Sequence, residues 1–184
     1  RRGQVALVSG VEEDLAGILV GLARVAVRDG DLHEPAVLKH DVLLCGVELA
    51  SPLISDAALE ANYTNEGGID GTIRFLKNIM GLWLVQECRR TWQRQGKELS
   101  YGEISALAGA ATPFAGVVEP DCEDFLAPGD MVSRLNAYLE RTGQSAPADE
   151  GGLIRVVLES LALKYRYTLD SLEEVLGRPM ECIH

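Results

Sequence analysis

Thr64 to Arg90, reading T-N-E-G-G-I-D-G-T-I-R-F-L-K-N-I-M-G-L-W-L-V-Q-E-C-R-R, is the stretch on which the fold turns. Amides and glycines stand here where an ordinary amphipathic helix would carry more Leu and Lys. Gly67 and Gly68 let the backbone take positive φ or approach another group closely, so Asn65-Glu66-Gly67-Gly68 reads as a tight polar turn delivering the chain into a helix. That helix is expected from about Thr72 to Gln95. Ile73, Phe75, Leu76, Ile79, Met80, Leu82, Trp83, Leu84 and Val85 leave it little polar face, which predicts burial on most sides. Asn78 and Gln86 interrupt this apolar surface. Eight residues at about 100° each set them roughly 80° apart and two turns along, so both carboxamides line one side of one groove. Buried amides require partners.

Outward from this stretch, Val42 to Leu49 reads as a strand, with Gly46 allowing a bend or close approach. Asp56 to Ala61 is a short helix capped by Ser55. Ser100-Tyr101-Gly102-Glu103 is a capping box ahead of Ile104 to Ala108, with Gly109 at the stop. A connection rich in Pro and Gly runs from Ala111 to Pro128, and Pro120-Asp121-Cys122-Glu123-Asp124 within it reads as a solvated acidic turn rather than a metal loop. Met131 to Arg141 forms a helix closed by Thr142-Gly143. Asp149 to Leu176 is a long helical stretch whose stripe of Leu153, Val157, Leu161, Tyr165, Leu169, Leu172 and Leu176 ends at Gly177 and Pro179. Met180 to His184 begins a strand. Val11 to Arg28 is a further amphipathic helix, stopped by Asp29-Gly30. The pattern is α/β but mostly helical, with one or two strands that want partners.

At 184 residues and 47% hydrophobic, the chain is long enough for one domain with a real core. A net charge of −11 argues against nucleic acid as a partner, because phosphate backbones need clustered Lys and Arg. Arg89, Arg90 and Arg94 form the one local basic cluster and read as a solvated helix end, where cations are favoured by the dipole. Cys45, Cys88, Cys122 and Cys182 are widely separated and show no zinc spacing, so no metal site is expected. No apolar run reaches the length of a membrane span and Arg1-Arg2 lacks a signal-peptide pattern, which predicts a reducing cytoplasm, free thiols and no membrane partner.

The segment around K-N-I-M-G-L-W-L-V-Q resembles the signature region of the rhamnulokinases, sugar kinases of the carbohydrate-kinase family with the actin-like (ribonuclease H-like) ATPase fold. The resemblance continues through Gly46-Val47-Glu48-Leu49, Pro128-Gly129-Asp130-Met131, Thr142-Gly143-Gln144 with Pro147, and Glu159 to Arg166. It covers about residues 42 to 184 and implies a partial C-terminal nucleotide-binding domain; residues 1–41 do not match and form a separate N-terminal segment. In that family the Asn and Gln of the signature block belong to the nucleotide site, which implies cofactor-binding roles for Asn78 and Gln86. The resemblance further implies ATP with Mg2+, and transfer of phosphoryl to L-rhamnulose, giving the 1-phosphate.

Two departures qualify that expectation: a phosphate-facing motif is missing, and so, further upstream, is the family's His-Asp pair whose Asp takes the proton from the sugar hydroxyl. The family's S-G-T-W motif, whose Thr contacts nucleotide phosphate, has Lys39-His40-Asp41-Val42-Leu43-Leu44 at the corresponding place. Aligned from Gly46, Asp41 falls where the Thr belongs, so His40-Asp41 is read as an ordinary strand-entry pair and no residue is assigned as catalytic base. The sequence therefore reads as an interior, inactive portion of a sugar kinase, residues 1–41 being a different start, a fusion or a reading-frame error. The alternatives are a kinase for xylulose, gluconate or glycerol, and a non-catalytic helical interaction module.

Overall fold

The computed structural model describes residues 4–5, 42–180 and 182–183. Three strands form the body of a sheet: β2 (Val42–Leu49), β3 (Thr64–Gly67) and β4 (Ile73–Met80), with β1 (Gln4–Val5) and β5 (Cys182–Ile183) as two-residue additions. The order is β3-β4-β2-β1-β5. β2 and β4 run antiparallel over their whole length, from Val42 opposite Met80 to Leu49 opposite Ile73. β3 pairs with β4 only from Gly67 opposite Ile73 to Thr64 opposite Leu76, so the last residues of β4 have no strand on that side. β1 is antiparallel to β2 at Val5 opposite Val47 and parallel to β5. Gly46 faces Leu76 across the pair, and a Cβ on it would lie 2.5 Å from Leu76 Cβ and closer still to the Phe75 carbonyl oxygen. Only glycine lets the two strands meet there.

The helices start where local chemistry tells them to. α1 (Asp56–Glu60) is capped by Ser55, whose hydroxyl accepts from Ala58 N–H at 3.1 Å. α2 (Trp83–Arg94) follows β4 after two residues and has no side-chain cap. α3 (Tyr101–Ala110) carries the full Ser100–Glu103 capping box. α4 (Met131–Arg141) is capped by Asp130, and the 27-residue α5 (Glu150–Leu176) by Asp149, with Gly177 left-handed at its end.

Two apolar clusters result. One gathers Leu84, Val85, Cys88 and Trp92 of α2 with Ile104, Phe125, Met131, Leu135, Leu139 and the first half of α5, from Leu153 to Leu161. The other lies under the sheet and holds Leu43, Cys45, Val47, Phe75, Ile79 and Tyr63 against Leu169 and Leu172 of the same helix. Tyr165 packs on both.

Several expectations held: the strand at Val42, the caps at Ser55 and Ser100, and the helices ending at Arg141 and Leu176. The central stretch is corrected. Thr72 to Gln95 is not one helix but strand β4, a two-residue bend at Gly81-Leu82, and helix α2. The apolar pairs Phe75-Leu76 and Ile79-Met80 recur every four residues, a spacing that looks helical although the strand buries one face and part of the other. Asn65 to Gly67 likewise belongs to β3, and the turn lies further on, where Asp70 (φ 57) and Gly71 (φ 76) take the left-handed conformation. The strands are more numerous and better partnered than expected, while helix still makes up most of the regular structure among the described residues, in keeping with an α/β, mostly helical fragment. The helix expected over residues 11–28 lies outside the described residues.

Candidate functional site

The signature block ends in a strand–bend–helix unit, and its two carboxamides sit on different elements. Asn78 is on β4, on the sheet face opposite the Phe75–Ile79 core side, and is exposed; its backbone pairs with Leu44, and no described residue hydrogen-bonds its side chain. Gln86 is on the first turns of α2, half-buried, its Oε1 accepting from Arg90 at 3.3 Å. The expectation that both project from one helix into one groove is thus overturned: they flank a bend, and no hydrogen bond joins them. The reason is the change of period at Gly81, from two residues in β4 to 3.6 in α2.

Asn78 shares its sheet face with Glu48, Arg74 and Glu66. Arg74 pairs with Glu66 at 3.3 Å, and Thr72 Oγ1 donates to Glu48. Asn65 is a structural residue: its Oδ1 accepts from Leu53 N–H at 3.0 Å and its Nδ2 donates to Leu53 O at 2.9 Å, pinning the loop before α1 to β3.

The bend itself is held from outside. Met80 N–H donates to Asp121 Oδ1 at 2.8 Å, and Tyr165 OH donates to Met80 O at 3.2 Å. Trp83, the first residue of α2, donates from Nε1 to Phe125 O at 2.8 Å. Lys164 bridges Glu119 at 2.7 Å and Asp121 at 3.0 Å; burial alone would lower its ammonium, but these two carboxylates hold it above the usual lysine range. Asp121 therefore does not lie in a solvated acidic turn, as the sequence suggested, but inside a polar knot that its loop forms with β4 and α5. Its partner stands 41 positions away, a distance local sequence signals do not reach.

Further along α2, Glu87 is buried and accepts from Gly129 N–H at 3.1 Å and Arg90 at 2.5 Å. Burial pushes its carboxyl up, but the hydrogen bonds from Arg90 and Gly129, with the nearby Arg94 charge, bring it below the ordinary value. The three arginines are not a simple solvated end: Arg89 donates to Leu99 O at 2.7 Å, and Arg94 to Gly129 O at 2.6 Å. Burial pushes the Cys45 thiol up to about 11 and raises that of Cys88 too, so neither is a reactive thiolate. Among the described residues no group of three or more His, Cys, Asp or Glu could hold a metal, and no helix is long and apolar enough to cross a membrane.

Residues 43–184 match the C-terminal domain of the FGGY family of carbohydrate kinases. The chain belongs to that family. Among relatives of this FGGY domain, the rhamnulokinase of Bacteroides thetaiotaomicron is 41% identical over 141 residues, 77% of this chain and 28% of that protein. The rhamnulokinase of Enterococcus faecalis is 42% identical over 134 residues, 73% of the chain and 26% of its own length. That of Bacillus subtilis is 36% identical over 141 residues. The matched region thus spans little more than a quarter of the length of these relatives, 28% for the first and third and 26% for the second.

Proposed function

We propose that this chain is part of the nucleotide-binding half of a rhamnulokinase-like sugar kinase of actin-like fold, which transfers the γ-phosphoryl of ATP, with Mg2+, to L-rhamnulose. The single observation that carries the reading is the match to the FGGY C-terminal domain, joined to identity of 36–42% with three rhamnulokinases. Asn78 and Gln86 are proposed as the nucleotide contacts. The donor set is compatible with a phosphorylated ligand: an exposed carboxamide near the end of β4 is followed, after a two-residue bend, by a helix whose first N–H groups have no side-chain cap. For magnesium the described residues offer no cage of their own, so the ion would be held chiefly through the phosphates.

Phosphoryl transfer is largely positioning and charge neutralisation, with an Asp taking the hydroxyl proton. Within these 184 residues no group is assigned to that proton, so the chain alone is expected to bind nucleotide without turning over sugar. Sugar choice is set elsewhere in such an enzyme, and a xylulose, gluconate or glycerol kinase is the second reading within the family.

The test is the melting temperature of the chain with and without ADP and magnesium. A ligand at 100 times its Kd stabilises the native state by about 2.7 kcal/mol, which raises Tm by several degrees. Asn78→Ala is expected to abolish most of the shift while leaving the ligand-free Tm within a degree or so, because the side chain is exposed. No shift at millimolar nucleotide, with oligomers on a sizing column, would instead favour an interaction module.

A further inference from the structure

β4 outruns its neighbour. β3 stops opposite Leu76, and Met80 is left at the end of β4 with an N–H and a C=O that no strand on that side can take. Buried backbone groups in that position must be paired or they cost stability. Here both are taken by side chains from distant parts of the chain: the N–H by Asp121 at 2.8 Å, the C=O by Tyr165 OH at 3.2 Å. Met80 is itself 7% exposed.

Neither partner is free to drift. Asp121 Oδ2 is held by Lys164 at 3.0 Å, its backbone N–H donates to Glu119 Oε1 at 3.1 Å, and Lys164 also binds that Glu119 oxygen. The same loop is tied to α5 twice more: Val118 N–H donates to Ser160 Oγ at 2.9 Å, and Phe114 N–H to Glu159 Oε2 at 2.7 Å. Glu159 and Ser160 are buried. Lys164 and Tyr165 are neighbours on α5, so one helical turn supplies both halves of the grip on Met80, one directly and one through Asp121.

What this grip controls is the angle at Gly81-Leu82. Asn78 lies two residues before Met80 and Gln86 six after it, so the distance between the carboxamides depends on how β4 turns into α2. Trp83 Nε1 on Phe125 O fixes the far side of the same bend from the same loop. We propose that Asp121 and Tyr165 are positioning residues for the nucleotide site, setting the span between Asn78 and Gln86 by clamping both polar backbone groups of Met80. The assignment rests on the nucleotide reading of those two carboxamides given above.

The experiment is calorimetric titration of the full chain with ADP and magnesium, well below the melting temperature, for the unaltered protein and for Asp121→Ala, Asp121→Asn and Tyr165→Phe. Asp121→Ala removes the acceptor for Met80 N–H and is expected to weaken binding about tenfold, in keeping with the sensitivity of sites to small displacements. Asp121→Asn keeps an acceptor oxygen and should restore most of that loss. Tyr165→Phe, which removes one hydroxyl and little volume, is expected to weaken binding about threefold and to alter the response of Trp83 fluorescence to nucleotide. If Asp121→Ala fails to fold, Asp121→Asn and Tyr165→Phe carry the test. Variants that melt earlier but bind with unchanged Kd would overturn the positioning role and leave a purely structural knot. An unaltered chain that binds no ADP would instead remove the nucleotide reading, and the positioning role with it.

Discussion

Gly46 shows how much one missing carbon can decide. β2 and β4 meet at Gly46 and Leu76 more closely than any side chain permits, since a Cβ there would overlap Leu76 Cβ and the Phe75 carbonyl. Gly46→Ala is expected to cost about 3 kcal/mol, read as a lower urea midpoint, because the obstacle is largely backbone in a packed sheet and cannot swing aside. The glycine's role was legible in the sequence, as a close approach within a strand. The placement of Asn78 was not legible: the carboxamide stands out in the signature block, but its exposure on a sheet face comes with the pairing of β4 to β2 opposite Leu44, which no periodicity within the block encodes. Asp121 was illegible altogether, because an acidic residue in a Pro-rich connection looks solvated until its distant partner is known.

At the scale of elements, caps were readable and the strand–helix junction was not. Ser55 and the Ser100–Glu103 pair act on donors three residues away, so their meaning is complete in a short window. From Ile73 to Val85 the apolar pairs Phe75-Leu76 and Ile79-Met80 recur every four residues, as they would on a helix, leaving Gly81 as the sole mark of the boundary. α2 makes a second point about elements. Glu87 anchors it to the Gly129 loop through a carboxyl held below its ordinary value, so the folded state binds this proton less readily than the unfolded one. That contribution is present above the unfolded value, near pH 4.3, and is lost as pH falls through the lower folded value. Urea midpoints measured across this acid range should therefore decline, and Glu87→Gln should flatten part of the decline while starting from a lower midpoint at neutral pH. An equal acid slope in the two proteins would show that Glu87 is not linked to it.

Across the whole molecule the two apolar clusters share α5, whose first half is buried in one and whose second half lies in the other. Shared structure couples their stabilities, so equilibrium unfolding is expected to be a single transition. Trp83 and Trp92 report on the first cluster by fluorescence, and Leu172 methyl signals report on the second. Their midpoints in urea should coincide. Separate midpoints would mean that the clusters are independent units.

A rod buried at both ends also has a fixed pitch. Adding one residue between Leu161 and Leu169 would rotate everything beyond it by about 100°, swinging Leu169 and Leu172 off the sheet while Leu153 to Leu161 kept their places. Length is therefore frozen along this part of α5, whereas a surface loop elsewhere can absorb an insertion at little expense. Among homologous chains, gaps should be missing from that span even where the letters themselves have changed.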